Sequence, residues 1–283
     1  MEPAWDIRGF CLSFFLGFAA IAHAQGYQFK AIFVPGSTDT NTAGMNNAGD
    51  VVGNYVPSGG NFSHGYVDHL GTFSDVYYPG SQYTSPVGIN SAGKIAGFYE
   101  AQEGIYHGFV YNGATYTTLD YPGATVTLLS AINNPGDVLG ISNAPHSGGF
   151  LYSTGTFSIV SYPGATATNP LGINDSKQIV GYYYGSSGYD HGFLESAGNY
   201  STIDFPVGAQ DTVLVGINNH GQIRGYYTDA AFLNHAFIYQ NGTFTQLPLP
   251  NLDFAYFTGF NDSGQFVGYY VGLTQTGFLA TPN

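Results

Sequence analysis

The chain has a single cysteine, Cys11, and it lies in an N-terminal stretch that reads as an export signal. The exported part then has no disulfide framework, no thiol nucleophile and no cysteine metal cluster, so its stability must come from its core. Basic residues are nearly as scarce. With Glu2, Asp6 and Arg8 removed, only Lys30, Lys94, Lys177 and Arg224 remain against sixteen Asp and Glu, a net charge of −12. A surface this acidic repels phosphate backbones and anionic lipid, which argues against nucleic acid and membrane surfaces as partners.

Several enzyme classes lack their required parts. Arg224 is the one arginine left, so no arginine cluster of the sialidase type can form. There is no Gly-x-Ser-x-Gly elbow, no glycine-rich phosphate loop with lysine and no His-Glu-x-x-His pair. Outside the N-terminus no apolar run is long enough to span a bilayer, and no sorting tail precedes Asn283, so a soluble product without an integral membrane span is expected.

Residues 1–24 carry Arg8, an apolar stretch from Phe10 to Ala22 and the small-x-small site Ala22-His23-Ala24, the layout of a signal peptide cleaved after Ala24. The protein is therefore expected to be secreted, to the periplasm or the medium. Residues 25–283 are long enough for one large β domain.

What the chain has in abundance is repetition. One asparagine recurs at Asn46, Asn90, Asn133, Asn174, Asn218 and Asn261, at spacings of 41 to 44 residues, in the pattern Gly-Ile-Asn-x-x-Gly at Asn90 and Asn218 and in variants of it elsewhere. Pro35, Pro79, Pro122, Pro163, Pro206 and Pro250 keep the same rhythm. Six copies result, each with four short runs rich in β-branched and aromatic residues. In the second copy these runs are Pro86 to Asn90, Ile95 to Tyr99, His107 to Tyr111 and Thr115 to Tyr121. Asn followed three residues later by Gly suits a type I turn with the glycine left-handed, a position Lys177 takes in the fourth copy at a cost of roughly 1 kcal/mol. Asn112-Gly113 and Asn241-Gly242 read as two-residue hairpin turns.

A four-stranded antiparallel unit of this size is a propeller blade, and six of them predict an all-β, six-bladed β-propeller. The ends of the repeat agree. Gly26 to Val34 resembles only a fourth strand, and the last copy stops after its third, Gly277-Phe278-Leu279, so the N-terminal strand is expected to complete the last blade. A parallel β-solenoid is the minor alternative.

In that order the loops between second and third strands share a face with the connections between blades. The face carries Val56 to Ser63, Glu100 to Tyr106, Ser142 to Ser147, Tyr184 to Asp190 and Thr228 to Asn234. It also carries the turn aromatics Tyr78, Tyr121, Tyr162 and Phe205. Variation on a rigid scaffold places function there.

Third strands begin His64-Gly65-Tyr66, His107-Gly108-Phe109, His191-Gly192-Phe193 and His235-Ala236-Phe237. With the Gly-Ile-Asn turn, this pattern resembles the HAF family of bacterial extracellular repeat proteins along essentially the whole exported chain. The resemblance implies export and a repeat fold, and no common activity. Gly148 and Thr276 stand at the histidine position in the other two copies.

Equivalent third-strand histidines in a six-fold ring lie too far apart to ligate one metal, so His64, His107, His191 and His235 read as structural, as do the six asparagines. Among carboxylates, Glu100, Glu103 and Glu195 are the only glutamates after residue 24, and Asp120 and Asp204 recur just before the aromatic-Pro turn as turn caps. Asp190-His191 has the form of a dyad fragment, although the histidine recurs elsewhere without Asp. No cofactor or metal is expected beyond a calcium ion held by acidic loops.

Exposed tyrosine beside Asn and Asp makes a sugar-binding surface, because a ring face stacks on apolar C–H groups while amides and carboxylates bond hydroxyls. Tyr78, Tyr121, Tyr162 and Phe205 are the candidate ligand contacts, with Tyr182-Tyr183-Tyr184 and Tyr226-Tyr227 as further aromatics able to face solvent. The leading expectation is a monomeric, non-enzymatic secreted propeller that binds an extracellular glycan or protein. An extracellular polysaccharide hydrolase or lyase, using Glu100, Glu103 or an Asp of the same face, is one alternative. A structural surface or matrix protein is the other.

Overall fold

The computed structural model describes residues 21–24, 26–144, 148–186, 188–206, 208–247, 255–272 and 274–283. Most of the expected export signal, the landmark Pro250 and part of the 142–147 loop lie outside them. The described residues form strands and turns with no helix, in six antiparallel sheets. Blade 1 spans residues 37–76, blade 2 83–118, blade 3 127–160, blade 4 167–202, blade 5 209–246 and blade 6 255–282. Inner strands of successive blades touch all the way round, Ala255–Phe260 meeting Ser37–Met45 to close a six-bladed propeller.

Blade 6 has only three strands of its own. Its outer strand is Tyr27–Ile32, paired antiparallel with Gln275–Pro282 from Tyr27 opposite Pro282 to Ile32 opposite Gly277. A further short strand, Ile21–Ala24, lies outside it. In blade 2 the outer strand is Tyr116–Thr118, shorter than the run to Tyr121, because the chain there already turns toward the next blade. Asn241 and Gly242 both have positive φ, the two-residue turn expected of them. Asn112 instead caps a longer loop, its Oδ1 accepting from the Ala114 and Thr115 N–H groups.

The recurring asparagine explains the recurrence. Each Asn Oδ1 accepts backbone N–H groups of its own turn; Asn218 Oδ1, for example, takes those of His220 and Gln222 at 3.1 and 3.0 Å. Each Nδ2 also donates to the backbone carbonyl of the equivalent asparagine one blade on. Asn46 donates to Asn90, Asn90 to Asn133, Asn133 to Asn174, Asn174 to Asn218, Asn218 to Asn261 and Asn261 back to Asn46, at 3.1–3.4 Å. This is a closed ring of six side-chain hydrogen bonds around the channel, made by residues that are 3–5% exposed.

In five blades the second Nδ2 hydrogen goes to the residue four on, Asp50, Asp137, Gln178, Gln222 or Gln265. Blade 2 has Lys94 there, which cannot accept. The neighbouring residue builds a second, outer series. Ser91, Asn134, Asp175, Asn219 and Asp262 each donate a backbone N–H to the side chain of the next blade's equivalent. Lys177 does sit left-handed, at φ 60°, and its Nζ reaches Asp137 at 3.2 Å.

Between blades the core is aromatic. Each third strand buries one ring, Tyr66, Phe109, Phe150, Phe193, Phe237 or Phe278, none more than 2% exposed. The second-strand glycine leaves room for it, since a Cβ on Gly97 would stand 2.6 Å from the Phe109 ring and 2.4 Å from the Ser85 carbonyl. Two residues break this apolar rule. Tyr66 buries a hydroxyl that no described residue hydrogen-bonds, and burial pushes its pKa up. Arg224 stands where the other blades carry Val52, Ala96, Leu139, Val180 and Val267. Its buried guanidinium lies 4.0 Å from the Phe266 ring centre and 4.4 Å from that of Phe260, with the Tyr27 phenol as a polar neighbour. Burial draws its pKa down to about 10, against the effect of the Tyr27 phenol.

Removing one ring asparagine orphans several buried groups together. Asn133→Ala is expected to cost about 2–4 kcal/mol in denaturant unfolding, and Asn90→Ala, which has one bond fewer, measurably less. Equal losses would show that the bond within the turn contributes nothing. Returning the two exceptions to the residue types of the other blades should stabilise: Arg224→Leu by about 1–3 kcal/mol, the cost of burying the charge outweighing its contacts with the rings and the Tyr27 phenol, and Tyr66→Phe by about 1 kcal/mol. A fall in unfolding midpoint for Arg224→Leu would overturn this account of the blade 5 to blade 6 seam.

Candidate functional site

The loop face is organised by stacks in which each blade receives an aromatic ring from the previous connection. Tyr78 lies flat on Tyr99 with ring centres 3.6 Å apart, and Tyr99 in turn stacks on His107 at 5.2 Å. Tyr162, Tyr183 and His191 repeat this at 3.7 and 5.3 Å, and Phe205, Tyr227 and His235 at 3.9 and 4.8 Å. The Tyr78 and Tyr162 hydroxyls bond Thr118 and Thr202. Tyr121 rests on Phe150 and Phe157 instead, in the blade where Gly148 replaces histidine. Each of the four turn aromatics thus packs on its own blade and is half-buried.

The histidines end these stacks and are tied down by carboxylates. His107 Nδ1 lies 2.8 Å from Asp120, whose other oxygen accepts the Gly108 N–H, and His191 with Asp204 and Gly192 repeats the clip. Asp120 and Asp204 therefore bind the third strand to the exit of the outer strand. The partner of His191 is Asp204, while the adjacent Asp190 donates its backbone N–H to Asp211. His235 reaches Asp229 at 2.9 Å, and His64 stacks on Tyr77 at 4.6 Å. Glu100 accepts from Gly104 in its own loop, and Glu103 is exposed. Among the described residues no group of three or more His, Cys, Asp or Glu is placed to hold a metal ion.

Closer to the axis the six blades differ in bulk. The second-strand residue after the conserved glycine is Phe98, Ile141, Tyr182, Tyr226 and Tyr269 in blades 2 to 6, and Asn54 in blade 1. Opposite it on the inner strand stand Ser85, Leu128, Asn169, Val213 and Tyr256, and in blade 1 Asn41. The tyrosines converge at the channel mouth, where burial pushes Tyr226 up to about 12 and Tyr182 and Tyr256 are its neighbours.

Blade 1, with Asn54 in place of a bulky side chain, leaves a cavity of about 300 Å³ at its seam with blade 6. Asp39, Asn41, Asn54, Tyr55, Ser63 and Gln275 line it. A β-bulge turns Asp39 toward the seam, where its Oδ1 accepts the Gln275 N–H at 2.8 Å. Asn41 Oδ1 is buried with no hydrogen-bond partner. Tyr55 donates its hydroxyl to Asp75 at 2.7 Å, which with burial pushes its pKa up to about 12. These residues were not singled out by motif. A comparison of the six copies at the position after the second-strand glycine carries the signal, because Asn54 is the one amide there.

No protein-family model matches the chain, and no curated protein matches it in sequence. Solved structures do match in fold. A gluconolactonase from Xanthomonas campestris superposes with a TM-score of 0.54 at 11% identity, over 94% of this chain and 95% of its own. Virginiamycin B lyase from Staphylococcus aureus gives 0.51 at 12%, over 89% and 99%. The SapL1 lectin, in complex with alpha methyl fucoside, gives 0.51 at 12%, over 83% and 88%. At these identities the likeness is one of propeller architecture alone.

If the turn aromatics act as packing, Tyr162→Ala should cost about 2–4 kcal/mol of stability, in the range of large-to-small core changes. A variant as stable as the parent would instead mark the ring as free for a ligand.

Proposed function

We propose that this chain is an exported, non-enzymatic propeller of the HAF-repeat type that binds an extracellular saccharide through its loop face, as a monomer. The observation that carries this reading is the polar cavity between blades 6 and 1. Its volume, about 300 Å³, is at the lower end of small-molecule sites and suits one sugar ring. It combines the side of a tyrosine with two amides and a carboxylate, the mixture that meets both the apolar face and the hydroxyls of a pyranose. Among the described residues no helix is long and apolar enough to cross a membrane, in keeping with this reading. Cleavage after Ala24 would remove the outermost short strand and leave Tyr27–Ile32 in place to close blade 6.

The test is a glycan array on the chain from Gln25 to Asn283, with calcium and with a chelator, beside the variant Asn54→Tyr. Tyrosine stands at this position in blades 4, 5 and 6, so the variant fills the cavity with a side chain the fold already accepts. Binding by the parent and its loss in the variant are expected, with calcium making no difference. Absence of binding by the parent, or equal binding by both, would overturn the reading.

A further inference from the structure

We infer that the ligand of the blade 6 to blade 1 pocket is cationic, an amino sugar whose free ammonium group lies against Asp39. This rests on the saccharide reading and adds the ligand's charge to it.

Several of the pocket's side chains already hold one another. Asn54 Nδ2 donates to Ser63 Oγ at 2.9 Å and to the Tyr83 hydroxyl at 3.4 Å. Ser63 Oγ donates to the Tyr55 carbonyl, and the Tyr55 hydroxyl donates to Asp75. Asp39 is the carboxylate of the lining, and it gives one oxygen to the Gln275 N–H while no described residue bonds the other. An ammonium group, a pure donor with three N–H bonds, suits that oxygen. A hydrogen bond to an ionised carboxylate is also about twice as strong as a neutral one.

Charge across the face points the same way. The chain's lysines and its buried arginine are all elsewhere. Lys94 and Lys177 lie in the asparagine turns at the opposite end of the channel, Lys30 in the closing outer strand and Arg224 inside the blade 5 to blade 6 seam. The loop face carries Asp39, Glu100, Asp190, Asp211 and Asp229 with no lysine or arginine to balance them. Among the described residues no lysine or arginine pairs with Asp39.

Calorimetric titration of the chain from Gln25 to Asn283 tests this with three probes: methyl glucosaminide, its N-acetyl derivative and methyl glucoside. Buffer at about pH 6 keeps an amine of this kind protonated. The free amine is expected to bind at least about tenfold more tightly than either neutral probe, with the preference weakened by added salt. Asp39→Asn, which keeps an acceptor for the Gln275 N–H, should erase the preference for the free amine over the neutral probes. Asn54→Tyr should abolish binding of all three. Equal affinity for the three probes, or a preference that survives Asp39→Asn, would overturn the cationic assignment and leave the saccharide reading standing. Binding of none of the three would overturn both.

Discussion

Everything in this molecule hangs on one side chain used six times. An asparagine amide has two donors and two acceptor sites, and here it gives one donor across each blade boundary and spends the rest on its own turn. No shorter or singly functional side chain can do this. Aspartate has no donor, serine cannot reach two partners, and glutamine would set the amide too far from its own backbone. Because every link runs from one blade to the next in the same sense, the ring closes only if all six blades are present and equally spaced. The number of blades is thereby fixed by hydrogen bonding at the narrow end of the channel, where packing of large aromatic rings alone would tolerate some spread.

With closure secured there, the opposite face is free to vary. The stacks of aromatic, tyrosine and histidine are held in three blades and altered in the others, and the carboxylates that clip the histidines change their point of origin, from Asp120 and Asp204 to Asp229. The pocket is a product of the same tolerance. It arises by subtraction, through Asn54 at a position that elsewhere carries a larger group, and the blades on either side remain in register because the ring below does not depend on that position.

The architecture was legible in the sequence because its determinants are periodic. The asparagine, the left-handed position that Lys177 shares with glycine, and the N-terminal strand missing from its own repeat all announce themselves by spacing. The ring was hidden, since spacing shows that an asparagine recurs but not that its amide points along the circle. The candidate ligand contacts were chosen from the most conspicuous repeated aromatics, yet repetition in a propeller marks what every blade needs for packing. Among the residues around the cavity, Asp39 and Asn41 have counterparts in Asp211 and Asn169, and it is Asn54 that stands out by departing from the repeat. Arg224 and Tyr66 do the same inside the core, where an apolar consensus makes a polar residue visible once the copies are superposed.

The outer strand of blade 6 comes from the opposite end of the chain from its other three strands. In chain order Tyr27–Ile32 therefore comes before the blade it completes and is placed in it last. Until Gln275–Pro282 arrives its inner edge is unpaired, and that third strand in turn presents a bare edge open to any other extended segment. The contacts that end this state are among the most distant in sequence that the molecule makes, so folding should be slow and should commit late, as a single event. Before closure the propeller is consequently an open arc with two complementary sticky ends, and two such arcs meeting before either has closed would exchange strands and lock together as a pair.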